Sequence, residues 1–142
     1  MTAVLVDHHQ VFPAFAYRFE TKDGSVVFSG DTGPDTRGNL QRLANGTDIL
    51  VHEVIDPAWV DLRFGDPEPG SRMEALKVHL IQSHTPAGEI GRIASECRAG
   101  ILVLNHLVPG NTPVSNLEAA GDGFDGNLII GEDLMQIGLI RA

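Results

Sequence analysis

Ser25-Val26-Val27-Phe28-Ser29-Gly30-Asp31-Thr32-Gly33-Pro34 is a short apolar strand that breaks abruptly into a loop. β-Branched and aromatic residues suit a pleated, half-buried surface, and Gly-Asp-Thr-Gly-Pro cannot continue it. The break delivers a carboxylate, Asp31, at the end of a strand, where a tight turn can aim it into a cleft. Upstream, Lys22-Asp23-Gly24 is a hairpin signal. Before it, Ala14–Glu20 alternates Phe15, Tyr17 and Phe19 with Ala16 and Arg18, the period of a strand, and Val4–Val6 reads as another.

Downstream, Asn39–Ala44 places apolar residues at helical spacing and Asn45-Gly46 stops the helix. Asp48–Val54 is an apolar strand with His52 and Glu53 at its trailing edge. The segment from Ile55 to Gly70 contains Pro57, Pro67 and Pro69 and reads as a long loop or lid carrying Trp59 and Phe64. Ser71–Ile81 has one apolar stripe, with Ser71 as cap and Glu74 three residues on. Thr85-Pro86 opens a second helix through Arg98, with Pro86 in its first turn and a stop at Gly100. Ile101–Leu104 is a buried-type strand running into Asn105-His106, and a short helix is expected around Pro113–Ala120. Asn127–Ile130 and Met135–Ile140 close the chain as strands joined by Gly131-Glu132-Asp133. This succession predicts an α/β or layered α+β fold over 1–142, one domain without internal repeats.

The chain has 142 residues, 42% of them hydrophobic and 20% charged, within the range of ordinary globular sequences. Nineteen acidic residues against 10 basic ones give a formal charge of −9, so the average surface repels a phosphate backbone and nucleic acid is not the expected partner. One cysteine, Cys97, can form neither an internal disulfide nor a thiolate zinc cluster, which fits a reducing cytoplasm. The N-terminus has no basic segment before an apolar one, and no apolar run approaches the ~20 residues that span a bilayer. Membrane insertion is therefore not expected.

The chemistry-bearing residues gather where strands end or helices begin. Asp31 reads as a cleft carboxylate or as a turn aspartate capping the next helix. His106, at the end of an apolar strand, has the placement of a metal-ligating imidazole, although taken alone a loop histidine bonded to backbone is the commoner reading. His8 and His9 are adjacent, so in a strand only one can face a given site. His84 stands at a helix start, where a ring can reach a cleft or cap the surface. His52 and Glu53 read as outer residues that orient ligands or as a buried structural pair. His79, inside a helix, is expected to be solvated and without a role. Neutral imidazoles with one carboxylate are the ligand set of hydrolytic zinc.

The order Val6-Asp7-His8, Pro13–Phe19, Val27–Thr32, Asp48–Glu53, Ser83-His84-Thr85 and Leu102–His106, closing with Phe124–Gly126 and Gly131–Leu134, resembles the second half of metallo-β-lactamase-fold proteins. Within that superfamily it is most similar to the ribonuclease Z and arylsulfatase-like branch. The resemblance implies half of an αββα sandwich, mostly one mixed β-sheet with helices on one face, which as a lone half exposes an apolar sheet face. It also implies a two-zinc site in which Asp31 bridges the ions, His106 ligates one, His8 ligates the other with His9 as its substitute, and His84 assists catalysis. The family's His-x-His-x-Asp-His motif is absent from this sequence. The resulting expectation is a zinc-dependent hydrolase of ester, phosphodiester, sulfate ester or lactone bonds in small molecules. A missing N-terminal half would complete the site, or the chain would form a homo-oligomer, and the isolated chain would be weak or inactive. The other expectation is a catalytically inactive half-domain serving as an interaction or structural module.

Overall fold

The computed structural model describes residues 1–34 and 37–139. A single six-stranded mixed sheet runs β1 (Thr2–Val6), β2 (Ala14–Thr21), β3 (Gly24–Phe28), β4 (Ile49–Ile55), β5 (Ile101–Val108) and β6 (Asn127–Ile130), in sequence order. The first three strands are antiparallel neighbours, and β3 through β6 are parallel. Hairpin turns suffice for the former, whereas parallel neighbours require crossovers. Helices α1 (Asn39–Ala44), α2 (Pro57–Phe64), α3 (Arg72–Ser83), α4 (Ala87–Glu96) and α5 (Val114–Leu117), the last followed by a 3-10 turn over Glu118–Gly121, lie in those crossovers.

The core lies on one face of the sheet. Val6, Ala16, Val27, Leu50 and Leu102 alternate onto that face, where Leu40 and Leu43 of α1, Ile90 and Ile93 of α4, and Leu117 of α5 cover them. The opposite face presents Leu5, Phe15, Tyr17, Phe19 and Phe28, each between 37% and 41% exposed. The expected mixed sheet with an exposed apolar face is observed, with α1, α4 and α5 covering the core face, while α2 and α3 pack on each other. Arg18 shows how tightly alternation sets the sides. It projects to the helical side between the outward Tyr17 and Phe19, and its guanidinium donates to the Leu43 and Asn45 carbonyls at the end of α1.

Three expectations are corrected. The segment after Ile55 is not a loop throughout: α2 spans Pro57–Phe64, with the Asp56 side chain accepting from the Ala58 and Trp59 amides and Pro57 in the first turn. An aspartate followed by proline is a helix start, and the density of prolines concealed it. Pro86 is not in the first turn of α4 but is its N-cap, at φ −59° and ψ 139°, so the helix begins at Ala87. Residues 135–139 form no strand, and Ile140 lies outside the described residues. Instead Met135 and Ile137 line a cleft with Val103–Leu107, and the Leu139 side chain occupies the space next to Gly24. Ser71 caps α3 as expected, accepting from the Glu74 amide, while the Glu74 carboxylate reaches back to the Gly70 N–H.

Candidate functional site

The loop after β3 is set by its glycines. Gly30 has φ 62°, a left-handed conformation in which a Cβ would strike the Phe15 carbonyl, and a Cβ on Gly33 would strike the Gln82 carbonyl at the end of α3. Only glycine fits such approaches. Thr32 is held by its hydroxyl against the Asp7 carbonyl, and Gly33 donates to that same carbonyl at 2.7 Å. Asp31 therefore projects from a loop pinned to both β1 and α3.

His106 arises from an irregularity in β5. Glu53 pairs with Asn105 and Val54 with Leu107, so His106 is the extra residue of a bulge, and its φ is 41°. Bulges re-aim a side chain at the end of a sheet, and a left-handed non-glycine residue is strained by roughly 1–3 kcal/mol, a cost characteristic of functional positions. The bulge brings His106 Nε2 to 3.7 Å from Asp31 Oδ2, with both side chains about half exposed. His106 also lines an open cleft of about 650 Å³ with Asn105, Glu132, Asp133, Met135 and Ile137.

His84 stands beside them, its ring centroid 5.3 Å from that of His106. Its Nδ1 is 2.9 Å from Glu53 Oε2, and Glu53 Oε1 accepts the Thr85 N–H at 2.6 Å. Glu53 is 1% exposed, so the imidazole is held by a carboxylate that water barely reaches. Beyond His84 lies His8, 5.7 Å away between centroids, with its Nδ1 2.9 Å from the Ser83 carbonyl. His9, at φ 47°, contacts the ring of His79. Of the early pair, His8 is thus the one turned toward His84.

His52 and Glu53, neighbours in β4, separate to opposite faces. His52 is fully buried on the helical side, its Nδ1 2.6 Å from the Glu53 carbonyl, and burial lowers its pKa even though the Glu53 charge pulls the other way. It belongs to the core, away from the row of rings. His79, expected to be solvated, instead lies 6.3 Å from His8 and 5.8 Å from His9. Its pKa is lowered by partial burial first and then by the charges of His9, His8 and His84. No sequence motif marked this residue; only its spacing on α3, five residues before His84, could have suggested it.

Asp31, His106, His84 and His8 therefore share one rim of the sheet, linked pair by pair. Among the described residues, no three histidine, cysteine, aspartate or glutamate side chains are arranged to hold a metal ion as they stand. The Asp31–His106 pair is a partial donor set, a carboxylate oxygen and an imidazole nitrogen separated by a gap that one ion bonded to both would span.

No protein-family model matches the chain. It is 31% identical over 134 residues to ribonuclease Z of Mycobacterium sp. (strain KMS), covering 92% of this chain and 43% of that protein. It is equally similar to ribonuclease Z of Mycobacterium tuberculosis (strain ATCC 25618 / H37Rv), covering 45% of it. The chain spans about half the length of the curated relatives it matches. Among solved structures, the metallo-β-lactamase fold protein YhfI from Bacillus subtilis superposes with a TM-score of 0.65 at 23% identity, over 92% of this chain and 46% of that one. The short form of human tRNase Z superposes at 0.59 and 21% identity, over 94% and 39%. With a six-stranded mixed sheet clad on one side and its polar residues gathered at one rim, the chain belongs to the metallo-β-lactamase superfamily, on its ribonuclease Z branch.

Proposed function

We propose that this chain supplies one side of a two-zinc hydrolytic centre that cleaves an ester-type bond, with the phosphodiester the class favoured by the relatives' name. The observation that carries the reading is the Asp31–His106 pair at 3.7 Å with His84 adjacent, its ring held by buried Glu53. Asp31 and His106 would hold zinc, and His8 is the donor assigned to the second ion. When bound, zinc supplies a Lewis acid and lowers the pKa of water. His84, fixed through Nδ1, presents Nε2 as the proton donor or charge stabiliser for the leaving group. Glu53 sets the ring's direction and favours the tautomer with hydrogen on Nδ1. The ligands that complete the centre would come from a His-x-His-x-Asp-His segment on an N-terminal half, and a cytoplasmic setting belongs to the same reading.

The test measures zinc binding and hydrolysis of bis-p-nitrophenyl phosphate by the chain alone and mixed with an N-terminal half carrying that motif. Weak zinc binding and negligible turnover alone, with turnover on mixing that Asp31→Ala or His106→Ala abolishes, is the expected result. Stoichiometric binding of two zinc ions at micromolar or tighter affinity by the chain alone would refute the divided site. Inactivity of the mixture favours the second reading, an interaction module built on the open apolar face of Leu5, Phe15, Tyr17, Phe19 and Phe28. An RNA substrate would announce itself as salt-sensitive tRNA binding by the mixture, against the −9 charge of this chain.

A further inference from the structure

The end of β4 grips both sides of the candidate site. Glu53 holds His84 and Thr85, and the Ile55 N–H donates to the Thr85 carbonyl at 3.0 Å. One residue later, the Asp56 N–H donates to the Val108 carbonyl at 2.8 Å, the last rung between this edge and β5 after the His106 bulge. The Asp56 carboxylate then divides its two oxygens. Oδ1 accepts the Ala58 and Trp59 amides at the start of α2, and Oδ2 accepts the Thr112 hydroxyl at 2.6 Å and the Asn116 amide at 2.7 Å. Asp56 is 2% exposed. Capping α2 needs only one oxygen. The second is committed to the segment that follows His106, which has no other side-chain tie of this kind to β4 among the described residues.

We propose that Asp56 is a positioning residue for His106: by clasping Thr112 and Asn116 to the end of β4, it holds the strand beyond the bulge and so keeps the His106 ring beside Asp31 and 5.3 Å from the His84 ring. A bulged residue at φ 41° relaxes toward ordinary backbone unless both flanks are fixed. The N-terminal flank is fixed by pairing of Ile101–Asn105 with β4. The C-terminal flank has only two paired residues, Leu107 and Val108, before the chain leaves the sheet, and Asp56 secures it there. Such outer hydrogen-bond partners set ligand direction even though they touch neither metal nor substrate. The inference rests on the hydrolase reading for its consequence, but not for its test.

The test uses the 142-residue chain, with assigned ring resonances of His8, His9, His84 and His106 followed by NMR at fixed pH during zinc titration. The variants are Asp56→Ala and the double variant Thr112→Val/Asn116→Ala. The double variant leaves the α2 cap in place and keeps the question answerable if Asp56→Ala does not fold. In the double variant, the His106 resonance is expected to shift and broaden, while His9 and the amide protection of Ala58 and Trp59 stay as in the parent. Its zinc response is expected to weaken by about tenfold. An unchanged His106 ring and an unchanged zinc response in the double variant overturn the proposal. So does a uniform change of all four rings, which would mark a purely structural role. A parent chain that gives no zinc response at all counts against the hydrolase reading, and the His106 ring signal then decides the role of Asp56 alone.

Discussion

Glu53 and His84, separated along the chain by α2 and α3 of the β4–β5 crossover, meet with a 2.9 Å contact between Oε2 and Nδ1, and Glu53 is only 1% exposed. A charged acceptor removed from water is costly unless its oxygens are occupied. Here they are, by the His84 ring and the Thr85 amide. Glu53→Ala leaves both donors without a partner and is expected to lower the unfolding free energy by about 3 kcal/mol, measured by chemical denaturation. Glu53→Gln keeps the shape and one acceptor, so it should cost less. Its amide can donate to Nδ1 and drive the ring hydrogen onto Nε2, which nitrogen-15 spectra of the imidazole report. An unchanged tautomer in Glu53→Gln would remove the orienting role.

Asp31 offers the opposite balance of stability and function. Its side chain is half exposed and its ion-pair contact with His106 is long at 3.7 Å, and surface ion pairs contribute ~0–1 kcal/mol. Asp31→Ala is expected to shift stability by no more than about 0.5 kcal/mol while abolishing whatever zinc response the chain shows. Isothermal titration and thermal melts on the same sample separate the two. A large loss of stability with unchanged zinc binding would make Asp31 an ordinary turn residue.

The sheet was legible wherever burial on one side enforced alternation. Phe15, Tyr17 and Phe19 opposite Ala16 and Arg18 forced β2, and the break at Gly30-Asp31 located the rim of the site. Long-range geometry was not legible. That His79 lies against His8 and His9 depends on how α3 docks on the loop after β1, and the alternation of Met135–Leu139 turns Met135 and Ile137 into a cleft rather than pairing them in a ladder. Asp56 was missed for a local reason, since its two roles belong to one carboxylate but to partners on either side of the chain, at 58–59 and at 112–116.

The Asp56 clasp should loosen in acid. Burial alone would raise its pKa, but the donors Asn116, Thr112, Trp59 and Ala58 outweigh it, leaving the carboxyl below its ordinary value of 3.8. A depressed carboxylate contributes stability that is fully present above 3.8 and lost as pH falls through the folded value. No other residue lining the adjoining cleft of about 210 Å³ is titratable. The unfolding midpoint of the parent should therefore fall more steeply below pH 3.8 than that of Asp56→Asn, and emission from the sole tryptophan, Trp59, should report the loosening of α2. Parallel acid profiles for the two proteins would show that protonation of Asp56 contributes nothing to acid unfolding.

His52 works in a higher range. It is fully buried among core residues, its Nε2 meets no protein partner among the described residues, and burial lowers its pKa from 6.5, offset in part by the Glu53 charge and carbonyl. The unfolded chain thus takes up a proton below 6.5 that the folded core refuses. This contribution is intact above that value and is lost progressively as pH drops beneath it. His79, whose pKa burial and its histidine neighbours also lower, adds a slope of the same sign. His52→Leu removes the buried base and sacrifices its bond to the Glu53 carbonyl, so at pH 8 it should cost no more than about 1–2 kcal/mol. Between pH 6.5 and 5 its stability curve should be flatter than that of the parent, and flatter still when His79→Ala is added. Denaturation curves that stay parallel across this interval would mean that the core accepts the proton at His52, contrary to its burial.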